Sequence, residues 1–382
     1  MISLSPSTIC IIDLLHIDSP IAWLKVLQPI SKKVIIITSP ELAFDFSKLS
    51  EAEYDNVIIE KVSNDVDQVK RILNLLLIHE VSAVVFNTID RYYGDYADLF
   101  KKFAGIKLLV IHNINYWFQK KRKLKIFREP RNADHIAMLQ MINSADRLIV
   151  LSDTLEAYLR NKYNQYKVSS FTTALHTGID EKSIYFTDYV PTIIVPGSIE
   201  QKRKDFDLVL NVVEALGPGK SSLVLLGEPR GDYGNTIIAR VKEMNNRGYL
   251  IKYFTGFIPE QEFELEMKMS DIVLIPVNIH TSFAGIREIY GQSKISGAVF
   301  DAIRYGKPAI VPEELSIPAK ASNSFLKYSD EQCLINFIQK LLIADNLKKL
   351  TLNAIANAIH WQADKIRGQF LEDMNIAKLF SA

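Results

Sequence analysis

Short, continuously apolar runs that alternate with longer amphipathic segments are the feature that most constrains the fold of this chain. Ile9–Asp13, Lys33–Thr38 and Ala83–Asn87 are such runs, and the helix-period segment Asp65–His79 lies between the last two of them. Strands that are apolar on both faces belong in a parallel sheet that helices cover on both sides. The pattern therefore predicts an α/β fold.

The alternation stops near Thr187–Pro191 and starts again with the run Thr192–Val195. A single hydrophobic core rarely serves a chain of 382 residues, so two domains are expected. We predict two Rossmann-like domains, residues 1–188 and 189–359, whose parallel sheets face each other across a cleft.

The end of the chain differs from the two predicted domains. From Glu331 onward it contains helical segments and no further strand pattern. Trp361 and Phe370 in this tail need an apolar surface to pack against. We therefore predict that a C-terminal helix, residues 360–382, packs back on the first domain.

The composition is typical of a folded globular protein and gives no global field that would attract a polyanion. Hydrophobic residues make up 48% of the chain, charged residues make up 23%, and the formal net charge is +1, so nucleic acid is not an expected partner. Cys10 and Cys333 lie far apart in apolar stretches and are expected to be reduced core residues rather than metal ligands. We see no signal peptide and no apolar run near the ~20 residues that span a bilayer. The expected location is cytoplasmic, with the protein soluble or peripheral on the inner face of the membrane.

The sharpest candidate site lies in the second half of the chain, in the segment Ser296–Pro308. Ligands of open parallel sheets bind at the carboxyl ends of the strands. Ser296, Gly297 and Ala298 start an apolar helix, where exposed N–H groups suit a diphosphate. Asp301, one turn further, could accept hydrogen bonds from ribose hydroxyls. A plain helix cap with Ser296 as N-cap explains the same residues.

A second candidate segment follows the predicted strand Thr192–Val195. Gly197 stands at the strand exit, and Arg203 and Lys204 precede an apolar helix. A departing nucleoside diphosphate gains negative charge, and fixed cations stabilise that charge. The alternative is a solvated basic turn at residues 202–204, since charge runs are usually exposed.

Together these segments resemble GT-B nucleotide-sugar glycosyltransferases of the glycogen-synthase-like retaining branch (glycosyltransferase family four type). That branch carries the pattern E-A-x-x-x-G-x-P, and Asp301–Pro308 follows it with Asp in the place of Glu. Its strand-exit glycine and Arg-Lys pair, which grip the donor diphosphate, match Gly197, Arg203 and Lys204. The resemblance implies GT-B architecture, with the donor bound by the second domain and the acceptor by the first.

The resemblance also implies roles for residues around the donor. In Tyr253–Val277, backbone near Ile258 would face the nucleobase. The branch often carries a glutamate eight residues before the ribose-binding carboxylate, and Ser293 stands there in this chain. Glu288 is the nearby candidate to replace that glutamate, and Lys294 is a candidate contact for sugar or phosphate.

In the first half, the residues that follow two predicted strands are candidates for the reaction itself. His112 follows the strand Lys107–Ile111, where the resembled family often has a histidine that lines the cleft; a structural histidine is the alternative. Asp13 and His16 follow the first strand. Asp13 is either a general base or a solvated loop acid.

The predicted function is transfer of a sugar from a nucleoside-diphosphate sugar to a sugar or lipid-linked acceptor, in the synthesis of cell-surface polysaccharide or glycolipid. The resemblance implies retention at the anomeric carbon, with a donor phosphate oxygen taking the proton of the acceptor. No cofactor is expected, and cations with a helix dipole would replace a metal at the diphosphate. A sugar-nucleotide epimerase and a non-catalytic GT-B partner subunit are the two alternatives.

The segment Tyr116–Arg131 interleaves basic and aromatic residues in a nearly neutral chain. Cations that meet lipid phosphates and aromatic rings at headgroup depth suit a membrane surface. We predict that this segment docks on anionic lipid or a lipid acceptor. Packing of its aromatic residues in the core is the alternative. The residues that would carry the docking are Trp117, Lys120, Lys121, Arg122 and Lys123.

Overall fold

The computed structural model describes residues 7–46, 55–119, 130–176, 178 and 190–374. The chain forms two units. The first comprises Met1–Thr173, Phe283–Glu288 and Ala363–Ala382, and the second comprises Ala174–Ser282 and Ile289–Gln362. The predicted domain boundary near residue 188 lies outside the described residues.

Within the described residues, the first unit contains one sheet of seven parallel strands. The strands are β1 (Thr8–Ile12), β2 (Lys33–Thr38), β3 (Val57–Lys61), β4 (Ala83–Phe86), β5 (Ile106–Val110), β6 (Arg147–Val150) and β7 (Val168–Ser170). The helices are α1 (Asp18–Leu27), α2 (Pro40–Phe46), α3 (Gln68–Ile78), α4 (Tyr93–Lys102), α5 (Ile114–Trp117), α6 (Pro130–Ser144) and α7 (Asp153–Lys162). The order across the sheet is β3-β2-β1-β4-β5-β6-β7.

The middle of this sheet is the place where the strand order reverses. β1 pairs with β2 on one side and with β4 on the other, in parallel register. Ile9, Cys10 and Ile11 of β1 are all buried, which explains the continuously apolar run, and burial raises the pKa of the Cys10 thiol. The reversal point of an open parallel sheet opens a crevice at the carboxyl ends of its strands. The residues that follow β1 and β4 therefore lie at that point.

The second unit repeats the plan with a sheet of six described parallel strands. The strands are β8 (Thr192–Pro196), β9 (Ser222–Leu226), β10 (Leu250–Tyr253), β11 (Ile272–Leu274), β14 (Ala309–Pro312) and β15 (Phe325–Tyr328). β12 (His280–Phe283) and β13 (Ile286–Ile289) form a separate two-stranded sheet, and Phe283–Glu288 within it belongs to the first unit. The helices are α8 (Phe206–Leu216), α9 (Gly231–Asn246), α10 (Glu260–Met269), α11 (Gly297–Arg304), α12 (Glu331–Leu341) and α13 (Ala344–Ala358). The order β10-β9-β8-β11-β14-β15 reverses between β8 and β11.

The last helix, α14 (Ala363–Met374), belongs to the first unit. The ring of Phe370 meets the ring of Trp23 edge-on at 5.4 Å between centroids. The ring of Phe171 stacks on that of Trp23 at 3.4 Å. The Nε of Arg367 donates to the carbonyl of Val26 at 2.9 Å, at the end of α1. These aromatic contacts hold α14 against α1.

The predicted α/β fold with two sheets of parallel strands is confirmed. The predicted strands agree with the observed ones to within one residue at each end, and the central ones among them are buried and continuously apolar. The edge strands β7 and β15 were not predicted. Each pairs on one side only and includes polar residues, so neither produces an apolar run.

Candidate active-site residues

Two glycines allow the backbone to approach closely at the carboxyl end of β8. Gly197 follows β8 with φ of +93°, which is favourable for glycine alone, and its N–H donates to the carbonyl of Leu226 at 2.8 Å. A Cβ on Gly197 would lie 2.6 Å from the Nζ of Lys204. A Cβ on Gly227 would overlap the carbonyl group of Gly197. Both glycines are therefore needed for the packing of this strand end.

Lys204 folds back over Gly197 instead of pointing into solvent. Its side chain is buried, and its Nζ donates to the carbonyl of Pro196. Its backbone bridges Val277, which follows β11, so Lys204 lies at the reversal point of the second sheet. The solvated basic turn considered as an alternative therefore does not describe Lys204, although Arg203 and Lys202 remain half or more exposed.

The ionisation of Lys204 reflects this burial. The pKa of Lys204 is lowered to about 8, chiefly by burial; the carboxylate of Asp301 opposes this shift and the nearby Arg203 adds to it. An ammonium group has three N–H donors, and Pro196 takes one of them; the described residues provide no other acceptor. The remaining donors suit the oxygens of an anionic ligand.

Arg203 is a weaker candidate than Lys204. Its guanidinium pairs with the carboxylate of Glu200, with Nε 3.0 Å from Oε2, and half of its side chain is exposed. Lys202 pairs with the same carboxylate at 2.8 Å. Burial works against ionisation of Glu200, yet these two cations hold the pKa of Glu200 below its ordinary value. No sequence pattern marks Glu200 as a member of this cluster, yet its carboxylate neutralises part of the charge of the basic turn.

The N-terminal end of α11, at Ser296 and Gly297, lies in the second unit. Ser296 is the N-cap residue and is buried, but its side chain makes no capping hydrogen bond. Gly297 is exposed with open space where a Cβ would lie, and Ala298 is buried. Asp301, half-buried within α11, acts electrostatically on Lys204. The structure therefore brings together Gly197, Lys204 and Asp301.

Lys294, Ser293 and Ile258 lie in connecting loops of the second unit. Ser293 is fully buried, and its Oγ accepts from the N–H of Ile289 at 2.8 Å, which makes it part of a tight turn. The carbonyl of Lys294 accepts from Gly291 within the same turn at 2.8 Å. Ile258 is half-buried in the loop between β10 and α10, beside Phe257, whose side chain is 89% exposed.

In the first unit, Asp13 is the centre of a polar network at the reversal point of the sheet. It is completely buried, and its Oδ1 accepts from the N–H groups of Leu15 and His16 at 2.8 and 3.0 Å. Its Oδ2 accepts from the Oγ1 of Thr88 at 3.0 Å and from the side-chain amide of Asn87. The Nδ1 of His16 lies 3.2 Å from the same Oδ2. Asp13 is therefore not a solvated loop acid.

Asn87 ties this network to the core. Its Oδ1 accepts from the Oγ of Ser19 and from the indole Nε1 of Trp23, both at 3.0 Å, while its side-chain nitrogen donates to Asp13. Burial opposes the charge of Asp13, but the hydrogen bond and the charge of His16, with the bonds from Leu15 and Asn87, lower the pKa of Asp13. The carboxylate is thus a fixed anion.

His112 follows β5 and adjoins the same network. Its Nε2 donates to the carbonyl of Asn87 at 2.7 Å, which fixes the orientation of the ring. The rings of His112 and His16 stack with centroids 5.9 Å apart. The structure therefore brings together the three predicted polar positions that follow β1 and β5, with Thr88 between the two histidines.

Glu288 lies in the first unit and is completely buried. Its Oε1 accepts from the N–H of Tyr116 at 2.8 Å and its Oε2 from the N–H of Asn115 at 3.3 Å. Both oxygens thus hold the first turn of α5. Asp301 and Lys204 belong to the second unit.

The segment predicted to dock on a membrane is described only in part. Trp117 is buried, with its ring edge-on to that of Tyr93 at 6.1 Å, and Phe118 stacks on Tyr163 at 4.3 Å. Lys120, Lys121, Arg122 and Lys123 lie outside the described residues. Among the helices that are described, none is both long enough and apolar enough to cross a bilayer.

The likeness of this chain to known proteins lies in its fold. No family model and no curated protein sequence matches the chain. A glycosyltransferase from Rickettsia africae is 13% identical with a TM-score of 0.66, over 98% of this chain and 99% of that one. HepE of Anabaena in complex with UDP-glucose is 12% identical with a TM-score of 0.62, over 97% and 99%. The pneumococcal O-GlcNAc transferase GtfA in complex with UDP and GlcNAc is 10% identical with a TM-score of 0.64, over 98% and 99%. The chain therefore has the GT-B fold of these glycosyltransferases.

Proposed function

We propose that this protein is a glycosyltransferase that moves a sugar from a nucleoside-diphosphate sugar to an acceptor hydroxyl. The observation that carries the proposal is the buried Lys204, held against Gly197 at the reversal point of the second sheet. A buried cation with spare donors needs an anionic partner to offset its desolvation. The GT-B structures that match over nearly the whole chain include complexes with UDP-glucose and with UDP, which supports a nucleoside diphosphate as that partner.

In this proposal, different residues of the second unit bind different parts of the donor. Lys204 stabilises the charge that develops on the departing diphosphate, and the N-terminal end of α11 at Gly297 adds the positive end of a helix dipole. Asp301 accepts hydrogen bonds from the ribose, and its carboxylate also favours the charged form of Lys204. These groups supply positive charge at the diphosphate without a metal ion, and no cofactor is part of the proposal.

The finer assignment rests on the sequence pattern at Asp301–Pro308 and on the Arg-Lys pair. These patterns support membership of the glycogen-synthase-like branch, with retention at the anomeric carbon and a sugar or lipid-linked acceptor in polysaccharide or glycolipid synthesis. Nuclear magnetic resonance of the first product formed gives the anomeric configuration directly. An inverted anomer refutes the assignment to that branch and leaves sugar transfer itself standing.

A binding screen followed by a turnover assay tests the function. Calorimetry with UDP, GDP and ADP should find one nucleoside diphosphate that binds, with the matching monophosphate weaker because it lacks the second phosphate. The corresponding nucleotide sugars should release that diphosphate faster when an acceptor is added. A protein that binds none of the three diphosphates contradicts the proposal. Conversion of the nucleotide sugar to an epimer without release of diphosphate indicates the epimerase instead.

A further inference from the structure

The basic turn at residues 202–204 is attached to the chain that follows β11. The backbone of Lys204 forms a bridge with Val277, and the N–H of Asn278 donates to the carbonyl of Arg203 at 3.0 Å. The chain after β11 therefore runs beside the turn and is bonded to it at successive residues. All of these residues belong to the second unit.

The side chain of Asn278 makes a further contact with the turn. Its Nδ2 donates to the carbonyl of Gln201 at 2.8 Å. A carbonyl oxygen only accepts, so the nitrogen of the amide and not its oxygen faces Gln201. Asn278 thus binds the two carbonyls on either side of Lys202, one through its backbone and one through its side chain.

We propose that Asn278 is a positioning residue that fixes the basic turn and thereby keeps Lys204 against Gly197, where it meets the diphosphate of the donor. The inference rests on the proposed function and names a residue that acts through Lys204 rather than on the ligand itself. The motifs that predict the donor site, at residues 197–204 and 301–308, do not include Asn278.

The burial of Lys204 is the reason why the turn has to be held. Water solvates an ammonium group better than the interior of a protein does, so the side chain is favoured in a position that points outward. The pKa of Lys204 is lowered to about 8, chiefly by burial, which reflects the same preference. Its Nζ donates to the carbonyl of Pro196, and this contact requires that the turn stay over the end of β8.

Hydrogen bonds within the turn fix only part of it. The N–H groups of Arg203 and Lys204 both donate to the carbonyl of Glu200, at 3.0 and 3.2 Å, and orient the peptide groups that precede these two residues. The carbonyl of Gln201 belongs to an earlier peptide group, and Asn278 binds it from outside the turn. Without the amide this peptide group can rotate, and the backbone that carries Lys204 loses a fixed point.

The segment that contains Asn278 continues to the other element that we propose for the diphosphate. The N–H of Tyr290 donates to the carbonyl of Ile279, the neighbour of Asn278, at 3.0 Å. From Tyr290 the chain leads to Ser296, the N-cap residue of α11. Asn278 therefore holds the basic turn against the segment that leads to the N-terminal end of α11.

The test measures Kd by calorimetry for a nucleoside diphosphate and for its monophosphate. The probes are UDP, GDP and ADP with UMP, GMP and AMP, and the pair that binds the wild-type full-length protein is used. Asn278→Leu removes the amide, keeps the branching at Cγ and adds no charge. It should raise the diphosphate Kd about 3-fold to 30-fold, which is part of the effect of losing the charge-assisted contact of Lys204.

The monophosphate separates positioning from a general disturbance of the second unit. The charge that Lys204 stabilises develops on the phosphate bonded to the sugar, and the monophosphate lacks that phosphate. Its Kd should therefore change by less than about twofold in Asn278→Leu. A substitution that only loosens the fold would weaken both ligands alike.

A double-mutant cycle shows whether Asn278 acts through Lys204. In the Lys204→Met protein, Asn278→Leu should change the diphosphate Kd by less than about twofold, because the group that it positions is already absent. Asn278→Ala removes the same donor with a smaller side chain and should reproduce both results. If the effects of the two substitutions multiply independently, the proposal is overturned.

Asn245→Leu is the matched control in the same unit. The side-chain amide of Asn245 donates to the carbonyl of Ile251 at 2.9 Å, near the amino end of β10. The amino ends of parallel strands lie at the edge of the sheet opposite to the proposed donor site. Whatever its effect on Tm, this variant should leave the ratio of the two Kd values within about twofold of that of the wild type.

Two results separate failure of this inference from failure of the proposed function. If Asn278→Leu raises the diphosphate Kd by less than about threefold, or weakens the monophosphate equally, the positioning role is wrong while the donor site at Lys204 stands. If the wild type binds none of the three diphosphates, the proposed function fails, and the role of Asn278 fails with it.

Discussion

Replacing Lys204 with methionine should stabilise the protein while weakening the binding of nucleoside diphosphates. Burial lowers the pKa of Lys204 from 10.5 to about 8. That difference corresponds to about 3 kcal/mol by which folding disfavours the charged amine. Methionine is of similar length and uncharged, but it leaves the carbonyl of Pro196 without its donor, which costs about 1 kcal/mol. The expected net gain at pH 7 is about 2 kcal/mol, or about 5 °C in Tm.

The sign of this effect depends on pH. Below pH 8, Lys204 is charged in both the folded and the unfolded chain, so the wild type carries the full cost of burial. Between pH 8 and 10.5 the unfolded chain still binds the proton that the folded protein has released, so the wild type gains stability with rising pH relative to the variant. Above pH 10.5 the cost is gone, and the variant should be the less stable protein by its missing hydrogen bond.

Thermal unfolding from pH 7 to pH 11 measures the stability, and calorimetry with the nucleoside diphosphate measures the binding. Loss of a charge-assisted phosphate contact should cost about 1.5–3 kcal/mol, which is about 10-fold to 150-fold in Kd. Lys202→Met is the matched control, since that side chain is 65% exposed and should change Tm very little. If Lys204→Met binds diphosphate as tightly as the wild type, the donor-site assignment is wrong. If it is less stable at every pH, the account of the buried charge is wrong.

Two further predictions concern the backbone of the second unit and the basic segment of the first. Gly227→Ala should destabilise the protein by about 1–3 kcal/mol in urea denaturation, because the added methyl overlaps the carbonyl of Gly197, whereas Gly256→Ala has open space and should change stability less. Reversing Lys120, Lys121, Arg122 and Lys123 to glutamate should abolish flotation with anionic liposomes, since each cation near an acidic leaflet contributes about 1 kcal/mol. If the wild-type protein does not float with such liposomes at low salt, the prediction of membrane docking is wrong.

The fold could be predicted from the sequence because the apolar pattern that indicates each strand is local. Each central strand is buried on both faces, so its apolar run and its neighbouring helices can be recognised without knowledge of any distant contact. The cluster of Gly197, Lys204 and Asp301 could be predicted for a similar reason. Its members follow strands or start helices, and parallel strands bring such positions to one edge of the sheet. The burial of Lys204 could not be predicted, because a run of three basic residues is ordinarily exposed and nothing local shows that the side chain folds back over Gly197.

The network around Asp13 depends on sheet order rather than on local pattern. Asp13 and Asn87 are 74 residues apart, and they meet because β1 pairs with β4 and not only with β2. Local patterns in the sequence predict the strands but not their order in the sheet. The hydrogen-bond partners that keep Asp13 ionised could therefore not be predicted. The spacing of Asp13 and His16, three residues apart after a strand, is the one local signal that such a pair would form.

The contacts of Glu288 are also distant in sequence and could not be predicted from a local pattern. A substitution at this residue distinguishes a structural role from a role on the reacting sugar. The family resemblance makes it a candidate for the reacting sugar, whereas in the structure its two oxygens accept from the N–H groups of Asn115 and Tyr116, the latter 172 residues away. If this contact is its role, Glu288→Gln presents an amide nitrogen to one of those donors and leaves a buried N–H group unpaired. That should cost about 1–3 kcal/mol in thermal or urea unfolding, while the Kd for nucleoside diphosphate stays unchanged because the proposed donor site lies in the second unit. Glu264→Gln, which removes an exposed pair with Lys268, is the control and should change stability by less than about 1 kcal/mol. A Glu288→Gln protein with wild-type stability and a greatly reduced turnover would show instead that this carboxylate acts on the sugar.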